Sequence, residues 1–263
     1  KDAIVGLEHH DPTDVIVVIS KPPAKEVRDE VVALLQKCTK PVVAIFLGEK
    51  PENHEGKVYL AHTLEETARM AVDLANGDPI KDNYCDPIDY EVSRPLAADK
   101  TVKGLYSGGS LAAEAGMLIA EALNLGGLIK EEGYILKTGG YEVVDLGDDV
   151  YTQGKPHPMI DPEVRIKKIL ECAKDPQTGV ILLDCMLGYG CHPDMAGALA
   201  PAIREAQKIA KADGRELYFV ASVCGTRQDP QDYDRAVAEL KECGVLVEES
   251  NARAIRLALK LKG

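Results

Sequence analysis

The chain has 263 residues, 45% of them hydrophobic and 28% charged, with a formal net charge of −12; this is a globular balance able to fill a core, and the length fits two domains or one full domain with a partial one. That charge disfavours partners bound by neutralising a phosphate backbone or an anionic lipid surface, so neither nucleic acid nor membrane is an expected partner, and an anionic substrate has to be drawn in by local amides and a few placed cations. Seven scattered cysteines without a Cys-x-x-Cys pair, no apolar run of about 18–20 residues and no signal-peptide pattern point to a reducing, cytoplasmic setting without disulfides or a zinc site.

The chain opens at Lys1, and DAIVGLEHHDP reads as the end of an amphipathic helix already under way, so a piece of a longer or processed protein is expected. DVIVVIS is a β-branched run of the kind found in buried parallel strands. PPAKEVRDEVVALLQKC follows, with proline suited to a first helical turn and Val27, Val31, Val32, Leu34 and Leu35 on one face. PVVAIFLG is a second buried strand, and TLEETARMAVDLANG a helix with a Thr63–Glu66 capping box and Gly77 as its C-cap. This alternation predicts a parallel sheet covered by helices. Residues 78–101 are rich in proline and aspartate without periodicity, and 81–101 is predicted to be a linker between a partial module, 1–80, and a second module, 102–263.

In that second module VKGLYSGG is a strand with a glycine exit and SLAAEAGMLIAEAL a helix. YILKTG and EVVDLGDD are short strand candidates, and TQGKPHPMIDP is too proline-rich for either element. PEVRIKKILECAKD, GVILLDCMLGYG and PDMAGALAPAIREAQKIAKAD read as helix, buried strand and long helix; ELYFVASVCG, QDYDRAVAELKECG, VLVEE and NARAIRLALKLKG complete a strand, helix, strand, helix ending. Five strands with helices over about 160 residues fit a flavodoxin-like, doubly wound domain, whose ligands sit at the carboxyl ends of the strands near the switch in strand order. The predicted fold class is thus α/β, with two tandem modules of which the first is truncated.

Two strand exits are the candidate site. In YSGGSLAAEAG, residues Ser107, Gly108, Gly109 and Ser110 precede a helix, whose unpaired N–H groups and positive dipole end favour an anion. Glycines also simply make tight turns, and the pattern is neither a Walker loop nor the dinucleotide fingerprint. In LGYGCHPDMAG, Gly188, Gly190 and Cys191 form a second such turn, with His192 placed to donate to a phosphoryl group or accept one. In DLGDDVYTQGKPHPMIDPEVR, the prolines around His157 suggest a rigid loop presenting its imidazole, and Lys155 and Arg165 are candidate charge partners for the substrate. Asp145, Asp148 and Asp149 are loop acids of the kind that stay solvated, and no metal site is expected. Cys185 and Cys191 are expected to be inert; His9, His10, His54 and His62 are left as surface residues.

The run from VVDLGDDVYTQGKPHPMIDP through GVILLDCMLGYGCHPDMAGALAPAIREA resembles FdrA proteins, relatives of the succinyl-CoA synthetases. GLYSGGSLAAEAG is similar to the first strand and phosphate-facing helix of the same CoA-ligase module, and GKPHPMIDP followed by LGYGCHPD is close to an FdrA signature. The likeness covers most of residues 101–263. The first half, with DPTDVIVVISKPPAKEVRDEVVALLQKCTKPVVAIFLG, is similar to the later part of the synthetase α-subunit ligase domain, without that domain's opening strand or the CoA-binding Rossmann domain that precedes it in the family. Synthetase α subunits carry GHAGA, with the phosphorylated histidine, after the strand matching PVVAIFLG. Here that interval reads EKPENHEGKVYLAHTLEETA, and the nucleotide-grasp domain of the β subunit is also missing.

The resemblance implies an acyl-CoA synthetase-like protein handling an acyl-phosphate or phosphoryl group, with CoA and ADP or ATP with magnesium as the cofactors to consider. It implies a homo- or hetero-oligomer completed by further domains or subunits. A subunit of an oxamate carbamoyltransferase using carbamoyl phosphate is the specific alternative. A non-catalytic scaffold subunit is the rival from another class, and a flavin site lacks the flanking aromatic residues it needs.

Overall fold

A computed structural model describes residues 1–51, 53–129 and 131–263 of the chain. The chain divides into two units, Lys1–Pro87 and Ile88–Gly263. In the first, α1 (Asp2–Glu8), β1 (Ile16–Ser20), α2 (Lys25–Leu35), β2 (Val42–Phe46), β3 (Val58–Leu60) and α3 (Leu64–Asn76) follow one another. The strands form a parallel sheet in the order β1-β2-β3. Every residue of β2 is buried, as its unbroken apolar run requires of a central strand. At three residues β3 is too short to register as a pattern. Helix α3 begins and ends as its sequence predicts: Thr63 Oγ1 accepts from the Glu66 amide at 3.0 Å, and Gly77 closes the helix at φ 75°, a left-handed conformation suited to glycine. The Glu66 carboxylate reaches past the cap and accepts from the His62 amide at 2.6 Å.

The second unit runs β4 (Thr101–Tyr106), α4 (Gly109–Leu123), β5 (Tyr134–Thr138), β6 (Tyr141–Asp145), α5 (Asp149–Thr152), α6 (Glu163–Lys174), β7 (Thr178–Met186), α7 (Met195–Ala212), β8 (Tyr218–Cys224), α8 (Tyr233–Glu242), β9 (Val245–Glu248) and α9 (Asn251–Lys262). Its six strands are ordered β5-β6-β4-β7-β8-β9. Strands β6, β4, β7, β8 and β9 are parallel, and in chain order they read 2-1-3-4-5, the flavodoxin-like arrangement. The remaining strand, β5, one of the two short strand candidates in the sequence, pairs antiparallel to β6 at the edge and lies outside the five-strand parallel pattern. Gly139 and Gly140 join the two at φ 56° and 85°, the paired positive φ of a tight hairpin turn.

Two apolar layers sandwich this sheet. Ala112, Ala115 and Ile119 of α4 share one with Ile255 and Ala258 of α9, whereas Ile169 of α6, Leu199 and Ile203 of α7 and Leu240 of α8 share the other. Strands β4 and β7 are neighbours, so the chain leaves adjacent strands toward opposite faces, which opens the crevice at which doubly wound folds bind ligands. The stretch read as a linker is divided between the units. Tyr84 is buried in the first, its hydroxyl donating to Asp73 at 2.8 Å, and Ile88, Tyr90, Val92 and Leu96 pack on the second unit's core.

Candidate functional site

Both glycine turns leave the carboxyl edge of the sheet, from β4 and from its neighbour β7. What lies between them is a carboxylate. Asp184, fully buried near the end of β7, accepts from the Ser107 amide at 2.9 Å, from Ser107 Oγ at 3.0 Å and from the Gly108 amide at 2.7 Å. The expectation that Ser107 and Gly108 donate to a substrate anion is corrected: the protein's own carboxylate already takes both amides. The donors left at this turn are those of Gly109 and Ser110, in the first turn of α4, which lack intrahelical acceptors. No side chain caps that helix.

Arg165 on α6 is also corrected. It is fully buried, and its Nη2 donates to the Asp184 carbonyl and, at 3.0 Å, to Asp184 Oδ1, so its charge balances Asp184 and a substrate would meet none of its surface. Lys155 is exposed and remains the accessible cation among the two.

The second turn is closed on itself. Gln231 accepts from the Gly188 amide at 2.9 Å and donates to the carbonyls of Gly188 and His192, and the Cys191 amide donates to Gly188 O at 3.1 Å. Gly188 needs its glycine, at φ 136°; Gly190 is exposed. The start of α7 is capped by Asp194, whose Oδ1 accepts from the Gly197 amide at 3.1 Å and whose Oδ2 meets Arg235 at 2.9 Å. The amides of Gly188 and Cys191 are therefore engaged, and of the two helix starts only that of α4 lacks a side-chain cap.

The two histidines are linked through one backbone residue. His157 Nδ1 accepts from the Met159 amide at 3.2 Å, and Met159 O accepts from the His192 amide at 2.7 Å. His192 Nδ1 in turn accepts from the Asp194 amide at 3.0 Å. With Nδ1 accepting, each neutral ring carries its proton on Nε2. His157 is also drawn to the exits of β4 and β6: a Cβ on Gly147 would lie 2.6 Å from His157 Nε2, 3.0 Å from Ser107 O and 3.1 Å from Asp145 Oδ1, so only glycine admits this approach. An imidazole N–H thus sits beside the turn that starts α4. Sequence reasoning passed over Asp184, Gly147, Met159 and Gln231. Asp184 alone carried a signal, as the single acid in the apolar run GVILLDCML.

The family description CoA-ligase matches residues 105–261, more than half of the chain. The chain belongs to the CoA-ligase family. It is also 36% identical to the uncharacterized protein YahF of Escherichia coli (strain K12), over 274 aligned residues that cover 98% of this chain and 52% of YahF. The chain thus spans about half the length of that relative. The family match starts in β4 and ends in α9, so every strand exit described above lies within the CoA-ligase region.

Within this CoA-ligase unit two of the loop acids, Asp145 and Asp148, accept from backbone amides. Asp145 Oδ1 accepts from the Gly147 amide at 2.9 Å and Asp148 Oδ1 from the Val150 amide at 3.1 Å. Among the described residues no three His, Cys, Asp or Glu side chains gather as ligands for a metal ion. The thiols are not activated: burial pushes Cys185 up to about 12, and burial, then the charges of Asp229 and Asp184, raise Cys191. Among the described residues no helix is long and apolar enough to cross a membrane. In the first unit, His54 and His62 line an open pocket of about 450 Å³ with Tyr59 and Lys81. Their Nδ1 atoms face the Leu60 amide at 3.0 Å and the Glu49 carbonyl at 2.9 Å.

Proposed function

We propose that this chain is an FdrA-type, succinyl-CoA synthetase-like protein that holds an acyl-phosphate or phosphoryl group at the carboxyl edge of its second unit. The observation that carries this is the uncapped start of α4 with the His157 imidazole beside it, in a chain of the CoA-ligase family. The amides of Gly109 and Ser110 receive the phosphoryl oxygens, where fixed donors stabilise developing negative charge. His157 Nε2–H donates a hydrogen bond to the bound group and can pass its proton to the leaving oxygen. His192, across the Met159 link, is the second proton donor through its Nε2–H, and the exposed Lys155 supplies a positive charge. CoA, the cofactor the family name implies, supplies a thiol for the acyl group when bound.

A second reading, a carbamoyltransferase subunit using carbamoyl phosphate, is favoured by the segment after β2. Where synthetase α subunits carry their histidine loop, this chain folds as β3 and the capped start of α3, with His62 held at the Glu49 carbonyl.

Thermal-shift titration separates these readings. Acetyl phosphate or carbamoyl phosphate is expected to raise Tm with the logarithm of its concentration above Kd, by an amount corresponding to about 2.7 kcal/mol at about 100 times Kd. A further rise with CoA or ADP supports the synthetase; a response to carbamoyl phosphate or oxamate without one to CoA and ADP supports the transferase. Replacing His157 and His192 by alanine is expected to weaken acyl-phosphate binding about tenfold or more, the loss of charge-assisted hydrogen bonds. If neither acyl phosphate binds, the enzymatic reading fails and a scaffold role takes its place.

A further inference from the structure

The feature that the proposed chemistry leaves unused is the buried pair beneath the site. Asp184 and Arg165 are both fully buried, and such a pair is weak as a source of stability, because desolvating two charges offsets most of their attraction. Its geometry is directed instead at one short segment. Three of the hydrogen-bond donors to the Asp184 carboxylate belong to Ser107 and Gly108, the two residues between β4 and α4, and a fourth is Arg165. Gly108 fits the same arrangement: a Cβ there would lie 3.2 Å from Asp184 Oδ2, so the carboxylate would have to give by a few tenths of an ångström. The side chain comes from β7, so it fastens the exit of β4 to the adjacent strand across the point where strand order reverses. A helix that follows a parallel strand starts at the sheet's carboxyl edge with its first N–H groups pointing outward, and the direction of that start is set by the two residues that Asp184 holds.

We propose that Asp184 is the positioning residue of this site: its carboxylate, neutralised by Arg165, fixes the Ser107–Gly108 turn so that the amides of Gly109 and Ser110 meet the phosphoryl group. This rests on the function proposed above. Asp184 touches no substrate. With Arg165 cancelling its charge, it orders the turn without adding a repulsive field at the place where an anion binds.

Amide NMR of the ¹⁵N-labelled chain, titrated with acetyl phosphate and with inorganic phosphate, tests this. In the unaltered protein the Gly109 and Ser110 resonances are expected to shift on titration, while those of Ser107 and Gly108, bonded to the carboxylate, stay in place. The double variant Arg165→Met, Asp184→Asn removes both charges together, and it is expected to lose at least about tenfold in affinity for the probe while its β8 and β9 resonances and its Tm remain near those of the unaltered chain. Gly108→Ala and Ser107→Ala keep the ion pair and disturb only its hold on the turn; each is expected to weaken binding severalfold, and they decide the matter if the double variant does not fold. Binding within twofold of the unaltered chain in all folded variants would overturn the positioning role and leave the site itself standing. Absence of any shift in the unaltered chain would remove the proposed function, and this inference with it.

Discussion

Asp184 and Arg165 respond differently to single and joint replacement, because each is the other's charge partner and both are fully buried. Arg165→Met alone leaves a carboxylate that keeps its donors from Ser107 and Gly108 but has no counter-charge. Breaking a buried pair in this way costs about 3–5 kcal/mol, measurable as a lower urea midpoint with unchanged slope. Adding Asp184→Asn to the same chain is expected to restore much of the loss; a double variant less stable than the single one would contradict the pairing. The same residues mark where sequence reasoning ran short. A cation near a phosphate-like turn reads as a substrate contact, and nothing in PEVRIKKIL says that Arg165 faces inward. The acid in GVILLDCML was the available clue, since a charge in a fully buried parallel strand demands a partner, but the partner's identity depends on how α6 packs on the sheet. The histidines stood out in the sequence as candidates, whereas their link through Met159 needed the fold of a loop without periodicity.

At the level of elements, the starts of α4 and α7, the two helices that leave the glycine turns, differ in their caps. Thr63 and Asp194 cap α3 and α7 with side-chain oxygens, whereas α4, with Gly108 at its N-cap, has no side-chain cap, as is also true of α2 and α6. An N-cap replaced by alanine costs about 0.5–2 kcal/mol. Thr63→Ala and Asp194→Ala are therefore each expected to lower stability by about 1 kcal/mol in chemical denaturation, without changing the response to acetyl phosphate. Loss of acyl-phosphate binding in Asp194→Ala at preserved stability would instead assign the second turn to the ligand. The capping box at Thr63, the left-handed Gly77 and the long helices were readable because each depends on neighbours within a few residues. Strand β3 and the antiparallel placement of β5 were not, because three residues carry no period and strand direction follows from the hairpin at Gly139 and Gly140. The flavodoxin-like, doubly wound fold was expected from the alternation of strand and helix, the structure orders its parallel strands 2-1-3-4-5, and the CoA-ligase family match covers the same region.

For the whole molecule, the charge of −12 at pH 7 sets two opposed trends with pH. Like charges repel within the compact state, so mild acidification from pH 7 toward about 5 relieves repulsion and raises stability. Further acid removes carboxylates that the fold favours in their charged form. Burial works against the charged form of Asp175, but the Gln177 amide and then the Lys103 ammonium, 3.3 Å away, hold its carboxyl below the usual range. The sign follows from linkage: a group depressed in the folded state contributes stability that is present above its unfolded pKa, about 3.9, and is lost as pH falls through its folded pKa. Lys103 is itself buried and shared with Glu142 at 3.2 Å, so protonating Asp175 leaves the ammonium with one carboxylate. Tm at low salt is accordingly expected to rise from pH 7 to about 5 and to fall below about 4. Added salt at about 0.5 M should flatten the first limb, where screening replaces titration, and Asp175→Asn should flatten the second while lowering Tm at neutral pH. A low-salt Tm that falls steadily between pH 7 and 5 would mean that local ion pairs, and not net repulsion, govern the stability of this acidic chain.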